Sequence, residues 1–404
     1  MIARLGMALV LGVGVADVAG AQDAPRPVTL RAAVDAALAR GTRVALARAD
    51  SATARAQLVT ARERPNPTAS VNWTEDTPHM HGFLQFPIDY PWYRRARLRG
   101  AELGARSAGY RFAFERAAAR FDAETTYVRA LAAGEHDRLS RITAVAADSL
   151  RRLAIVRRDA GDASDLDVEL ATINAGQAAN LAAADSLVAV GAVLDLQMLM
   201  GMGGDTVEIT LADSLTPSLL RSVGDSVGPG MTLQVAAATE ALASEDQALL
   251  VAKRGAFGQP SLSVGVEGGD PTQKRVLPAA GVAFPFPLFN TNGGATALEA
   301  ANVDRARAQL AAARRESDAA VAQTRRAYLA ASARATRDQT LLASADRVAR
   351  LSLTAFAEGA QALPAVLEAQ RSARDALAQY VDDVAAANAA AAAVRLFTST
   401  VELQ

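Results

Sequence analysis

The sequence predicts a mainly α-helical fold with a small β part, in which long coiled-coil hairpins are joined to four short strands. Three observations carry this. Apolar residues recur at alternating steps of three and four through stretches longer than an ordinary globular helix. Two pairs of short alternating runs are bounded by Pro and Gly. Landmarks in the first half also return in the same order in the second, the mark of an internal tandem repeat.

Each element can be justified in order. The chain has 404 residues, half of them apolar but only 5% aromatic. Alanine dominates the helical stretches, which favours closely approaching helices over a bulky core. A net charge of −1 gives no electrostatic case for a nucleic-acid partner. Arg4, the apolar run Leu5 to Val18 and the small residues Ala19 and Ala21 read as a secretory signal over residues 1–21. Cysteine is absent, so neither a disulfide nor a lipidated cysteine is expected. No run of 18 apolar residues follows the signal, so no membrane-spanning helix is expected.

Residues 22–204 form the first repeat. Thr29 caps a helix running to Arg62, and Arg64-Pro65-Asn66-Pro67 stops it. Thr68 to Thr74 alternates, with Ala69, Val71 and Trp73 on one face, as in a strand apolar on one side. Glu75 to His81 reads as a polar turn and Gly82 to Ile88 as the partner strand. A long helix then rises from about Arg94, turns at Asp159-Ala160-Gly161-Asp162 and returns from Leu166 to Met200. Residues 205–230, rich in Gly, Pro, Ser and Asp, form a linker with a short strand over 207–211.

The order recurs in residues 231–404. Met231 to Lys253 is a helix, Ser261 to Glu267 and Ala279 to Phe284 are strands, and Asn290 to Gly294 opens a helix to about Phe356. Ala357-Glu358-Gly359-Ala360-Gln361 turns the chain, and Leu363 to Phe397 returns. That last arm keeps a strict seven-residue repeat through Val366, Ala373, Tyr380, Ala387 and Val394, which implies left-handed supercoiling. Pro67 and Pro260 stand 193 positions apart, while Pro87 and Pro285, like Gly161 and Gly359, stand 198 apart.

Four strands per chain cannot close a barrel, and a strand apolar on one face needs lipid or protein against it. Association is therefore expected. Three chains would supply twelve strands, an even number suited to a membrane barrel, and twelve helical arms for an α-barrel beneath it.

The chain resembles the outer membrane factor family, the TolC-like efflux channels, and looks closest to its heavy-metal efflux branch. The residues that carry this are Pro65-Asn66-Pro67, Phe86-Pro87-Ile88-Asp89-Tyr90-Pro91 before Arg94-Arg95-Ala96-Arg97, and Ala160-Gly161-Asp162 before Leu166-Asp167-Val168. In the second half they are Phe284-Pro285-Phe286-Pro287-Leu288-Phe289 and Glu358-Gly359 before Val366 to Arg371. The resemblance implies a homotrimer in outer-membrane lipid with a twelve-stranded barrel and a periplasmic helical tunnel. It also implies docking to a periplasmic adaptor, a membrane fusion protein joined to an inner-membrane pump of the RND type.

The expected function is passive conduction of metal ions or small toxic compounds delivered by that pump. Alternatives are the exit duct of a type I protein secretion system and a periplasmic coiled-coil scaffold. The two turns, Asp159, Ala160, Gly161 and Asp162 with Glu358, Gly359, Ala360 and Gln361, are the expected adaptor-docking tip. Asp162, Asp165 and Glu358, with Asp159, could line a cation-favouring aperture when repeated threefold. His79, Met80 and His81 are a candidate soft-metal site for copper or silver. Nothing in the residues calls for a cofactor. An enzyme is not expected, since there is no Cys nucleophile, no His-Glu-x-x-His helix, no Gly-x-Ser-x-Gly elbow and no Gly-x-x-x-x-Gly-Lys loop.

Overall fold

The computed structural model describes residues 26–203, 209–217, 219, 230–272 and 275–401. The expected signal at 1–21 and most of the linker at 205–230 lie outside the described residues. The elements run β1 (Arg26–Val28), α1 (Leu30–Arg40), α2 (Thr42–Arg62), β2 (Thr68–Trp73), β3 (Met80–Pro87), α3 (Pro91–Asp159) and α4 (Asp165–Leu199). They continue β4 (Ile209–Leu211), α5 (Leu233–Arg254), β5 (Ser261–Gly268), β6 (Leu277–Ala283), α6 (Gly293–Ala357) and α7 (Leu363–Thr398).

The helix expected from Thr29 to Arg62 is two helices. The chain breaks at Gly41, where a Cβ would stand 2.3 Å from the Ala37 carbonyl oxygen. The rising arm is longer than expected because Pro91, set at the helix start, opens it. At 69 residues and 1.5 Å per residue, α3 is about 100 Å long.

Such a helix is too long to bury in one core, so it acts as a spine. Above its midpoint the helices lie in the order α2, α3, α5, α6, and below it in the order α4, α3, α7, α6. Small residues on the seams, such as Ala130, Ala133 and Ala192 between α3 and α4, permit close approach. α4 is long and apolar enough, by length and composition, to cross a membrane, and this corrects the expectation that no such helix exists. It packs lengthwise on α3, yet much of its apolar surface stays exposed, Leu166, Ile173, Leu187 and Met198 among it.

The midpoint holds a core around Tyr127, Leu131, Leu196, Met200 and Ile209. There β1 pairs in parallel with β4, Arg26 opposite Ile209. The Tyr127 hydroxyl lies 2.8 Å from Asp213 Oδ2 and 2.9 Å from the Val28 carbonyl oxygen. Asp213 Oδ2 also accepts the Leu30 N–H at 2.7 Å, capping α1 from a distance in sequence. Burial first, and then the bond to Asp213, push the Tyr127 phenol well above its ordinary pKa.

The other four strands form one antiparallel sheet in the order β2-β3-β5-β6. β2 and β3 are a hairpin, as are β5 and β6, and the two hairpins join through β3 and β5, with Phe83 opposite Gly265. Among the described residues, β2 and β6 are both unpaired on their outer edges.

Candidate functional site

Two regions hold the candidate residues. The first is the sheet. Pleating sends alternate side chains to opposite faces, and the register aligns the strands so that each face has its own chemistry. One face carries Val71 and Trp73 on β2, Leu84 and Phe86 on β3, Leu262, Val264 and Val266 on β5, and Val282 on β6. All are exposed, Trp73 at 69% and Val71 at 75%. The opposite face carries Ser70, Asn72, His81, Gln85, Ser263 and Glu267. Gln85 Nε2 donates to Ser261 Oγ at 2.6 Å, and Ser263 Oγ donates to the Gly281 carbonyl at 3.0 Å. Gly265 is required because a Cβ there would stand 2.3 Å from both the Gly82 carbonyl oxygen and the Phe83 ring.

The candidate soft-metal residues fall in this sheet, with Met80 and His81 in β3 rather than in the turn. His79 stacks on Trp73 with centroids 5.8 Å apart, and its Nδ1 lies 3.1 Å from the Thr74 carbonyl oxygen. Both His81 ring nitrogens are engaged, Nε2 with Thr74 Oγ1 at 3.2 Å and Nδ1 with Glu267 Oε1 at 3.3 Å. Met80 pairs with Trp73 and, by the pleat, points away from His81. The three side chains do not converge, and no group of three His, Cys, Asp or Glu able to hold a metal occurs among the described residues.

The second region is the end of the helical hairpins. The two turns have the same construction. Gly161 at φ +84° donates its N–H to the Arg158 carbonyl, and Asp162 donates to Arg157; Gly359 at φ +74° donates to Phe356, and Ala360 to Ala355. This is the Schellman arrangement, and its left-handed residue favours glycine. Ser164 and Asp167 then form a capping box that starts α4, while Pro364 stands in the first turn of α7.

The turns are tied together. The Arg157 guanidinium lies over the Phe356 ring at 4.9 Å, donates from Nη1 to the Phe356 carbonyl at 2.7 Å, and from Nη2 to the Asp162 carbonyl at 3.2 Å. Beneath it Leu150, Ala154, Val168, Phe356, Leu363 and Val366 share one core, so α3, α4, α6 and α7 meet at one level. Sequence reasoning missed Arg157. The available signal was a cation in the last turn of a long helix, which can satisfy free carbonyls.

The predicted tip residues Asp159, Ala160, Gly161, Asp162, Glu358, Gly359, Ala360 and Gln361 are all exposed at this end. The acids differ in what surrounds them. Asp159 takes Nε and Nη2 of Arg158 at 3.0 and 2.7 Å, and Asp165 lies 3.9 Å from Nη1 of the same arginine. The Asp159 carboxylate raises the Arg158 pKa. Among the described residues, no ion pair engages Asp162 or Glu358.

No protein-family model and no curated protein matches the chain. Solved structures do. The chain superposes on the crystal structure of CusC with a TM-score of 0.77 at 15% identity, covering 92% of each chain. It superposes on a membrane protein from Pseudomonas aeruginosa with a TM-score of 0.76 at 19% identity, covering 92% of this chain and 93% of that one. For the Campylobacter jejuni CmeC outer membrane channel the values are 0.73 and 17%, over 91% of this chain and 85% of that one. The fold is that of these solved structures. At such identities the likeness is one of architecture, and the chain's own surfaces must supply the rest.

Proposed function

We propose that the protein is a member of the outer membrane factor family: a homotrimeric outer-membrane channel that conducts its substrates passively. The carrying observation is the open sheet, apolar and exposed on one face and unpaired at both edges. Strand direction alternates across β2, β3, β5 and β6, so β6 of one copy meets β2 of the next antiparallel. Three copies close a twelve-stranded barrel with no odd strand and no free edge. Val71, Trp73, Leu84, Phe86, Leu262 and Val264 then face lipid, and Ser70, Asn72, Gln85, Ser263 and Glu267 face a wet lumen. The α3 spine sets the length of a helical tube extending about 100 Å into the periplasm.

The chain supplies a wall and an end, and the work falls to an inner-membrane pump of the RND type. The turns around Gly161 and Gly359 dock the periplasmic adaptor. Repeated threefold, Asp162 and Glu358 place six carboxylates near the aperture and favour cations, which fits export of metal ions or small cationic toxic compounds. Purified protein is expected to run as a trimer in detergent and to give stepwise conductance in planar bilayers. Asp162→Asn with Glu358→Gln should lower cation-over-anion selectivity without abolishing conductance. A stable monomer in detergent-free buffer would overturn the channel reading.

A further inference from the structure

We infer that α3 and the end of α7 form a binding pocket for the phosphate group of a small soluble molecule, recognised by Arg116, Arg120 and Arg395. The pocket lies within one chain, and only its placement outside a tube and beneath a membrane rests on the channel reading above.

Between α3, the end of α7 and Leu38 of α1 lies a cavity of about 490 Å³, the size of a site for a small organic molecule. On α3, Phe112, Arg116, Arg120 and Glu124 follow at steps of four and so share one side of the helix. Arg395 enters from α7. The Glu124 side chain is only 3% exposed, and it accepts from Arg120 Nε at 2.8 Å and from Arg395 Nη2 at 2.5 Å. One buried carboxylate thus holds two guanidiniums from different helices at the cavity wall. The Arg116 guanidinium lies over the Phe112 ring at 5.9 Å and has no ion pair among the described residues.

Three cations and one acid line this cavity, a formal charge of +2 that matches a phosphate dianion. Charge is arranged differently between α2 and α3, where Arg43 meets both Glu115 at 2.5 Å and Asp122 at 2.8 Å, two acids to one base. Guanidinium forks fit phosphate oxygens in pairs. Fixing them beforehand removes ordering that binding would otherwise require. Leu38, Ala392 and Leu396 complete the wall and suit the apolar remainder of a phosphorylated molecule.

Placement decides the source of the phosphate. The stripe through Glu124 continues to Tyr127, so it lies on the side of α3 that carries the midpoint core of β1 and β4. That core is a second layer on the helices, which in a tube fits the outside and would block the inside. Neither α3 nor α7 stands at an edge of its layer, so a closed ring leaves the pocket open. Arg116 is 25 residues along α3 from Pro91, about 38 Å. The headgroup zone of a bilayer is about 5–8 Å thick, so a lipid phosphate does not reach Arg116 and a soluble one does.

Inorganic phosphate titrated into the detergent-solubilised full chain, followed by calorimetry, should bind saturably at one per protomer and at least tenfold tighter than acetate. Arg116→Gln should weaken it about tenfold, the loss of a charge-assisted hydrogen bond. Arg111→Gln removes the same charge from α3 outside this pocket and should leave affinity unchanged. Absence of saturable binding, equal affinity for acetate, or equal losses in the two variants would overturn the pocket. In phosphatidylcholine vesicles the affinity should not change when phosphatidylglycerol is mixed in; competition by that lipid would overturn the soluble source. Native mass on the same samples keeps the readings apart: a trimer that binds no phosphate overturns the pocket alone, and a monomer that binds it overturns only the placement outside a tube.

Discussion

The two returning arms, α4 and α7, follow matching turns and have nearly equal lengths, yet they bury themselves differently. α7 buries ten of its 36 residues, because it lies between α3 and α6 and both its flanks are covered. α4 buries six of 35 and leaves Ile173, Leu187, Val190 and Met198 exposed. α4 is nevertheless the more apolar of the two. A helix apolar on all sides is one that is covered on all sides, so α4 is made for surroundings that one chain does not provide. The sheet teaches the same lesson more strongly, since every residue of β2 is exposed. The molecule thus separates apolar surface that folding buries from apolar surface that a single chain leaves exposed and that the proposed trimer would cover.

The largest expected effect breaks the first kind. Leu363, at 1% exposure in the shared tip core, should cost about 2–5 kcal/mol when changed to Ala, through lost burial and the cavity left behind. Thermal unfolding followed by circular dichroism would show a lower Tm for the helices themselves. Leu187→Ala is the counterpart on α4. It should leave the helix content of a detergent-dispersed monomer unchanged while lowering the temperature at which trimers dissociate. If Leu187→Ala melted the monomer as Leu363→Ala does, the distinction between the arms would fail.

A smaller effect is expected where α6 and α7 share charge. Asp383, buried on α7, accepts from Arg334 Nε at 2.8 Å and from Gln379 Nε2 at 3.2 Å. Asp383→Ala should cost about 1–3 kcal/mol, since it strips a charged acceptor from its donors. Asp195→Ala on α4 removes an acid with no intrachain ion pair and should leave monomer stability within about 0.5 kcal/mol. Chemical denaturation of both variants gives the comparison. Between these two lie Gly161→Ala and Gly359→Ala, each about 1–2 kcal/mol for forcing a Cβ into the left-handed region. The two should cost about the same, since a Cβ at Gly161 meets open space and one at Gly359 only touches the flexible end of Arg157 at 3.4 Å.

The helices and the sheet were legible in the sequence because their periods are local. Steps of three and four marked α3 and α7, the Asn290–Gly294 run opened α6, and Pro67, Pro87, Pro260 and Pro285 bounded the strands. The Gly41 break was missed because the apolar pattern continues through it, and only the crowding of a Cβ against Ala37 requires glycine there. The short strand expected over 207–211 is there as β4, Ile209–Leu211, but its pairing with β1 and the Tyr127–Asp213 contact join segments far apart in the chain, and three-residue β1 has too little pattern to announce itself. At the candidate sites, the tip turns were legible from Gly161 and Gly359, but the Arg157 bridge between them was not, since it depends on two hairpins ending at one level. His79, Met80 and His81 looked like a cluster only in one dimension. The period of two in β3 separates Met80 from His81.

The subtlest test concerns Asp338, which faces Asp383 across the α6–α7 seam. Asp338 Oδ2 is buried and lacks a donor, so the two carboxyl groups are best satisfied by sharing a proton. The hydrogen bond to Asp383 and then burial raise the Asp338 pKa above the ordinary carboxylate value. For Asp383, burial works upward but is outweighed by the bonds from Arg334, Asp338 and Gln379, and the net shift is downward. The signs are therefore opposite. A raised carboxyl disfavours the fold at neutral pH and ceases to do so as pH falls through its raised value. A lowered one stabilises the fold above the ordinary carboxylate range and loses that contribution as pH falls through its depressed value. Asp338→Asn keeps a donor toward Asp383 while removing the like charge, so its Tm at neutral pH should equal or slightly exceed that of the natural chain. On acidification the natural chain should draw level first, as Asp338 protonates, and both should then fall together as Asp383 gives up its hold on Arg334. A constant Tm difference across that range would mean that the two carboxyl groups titrate independently and that the seam between α6 and α7 is not proton-linked.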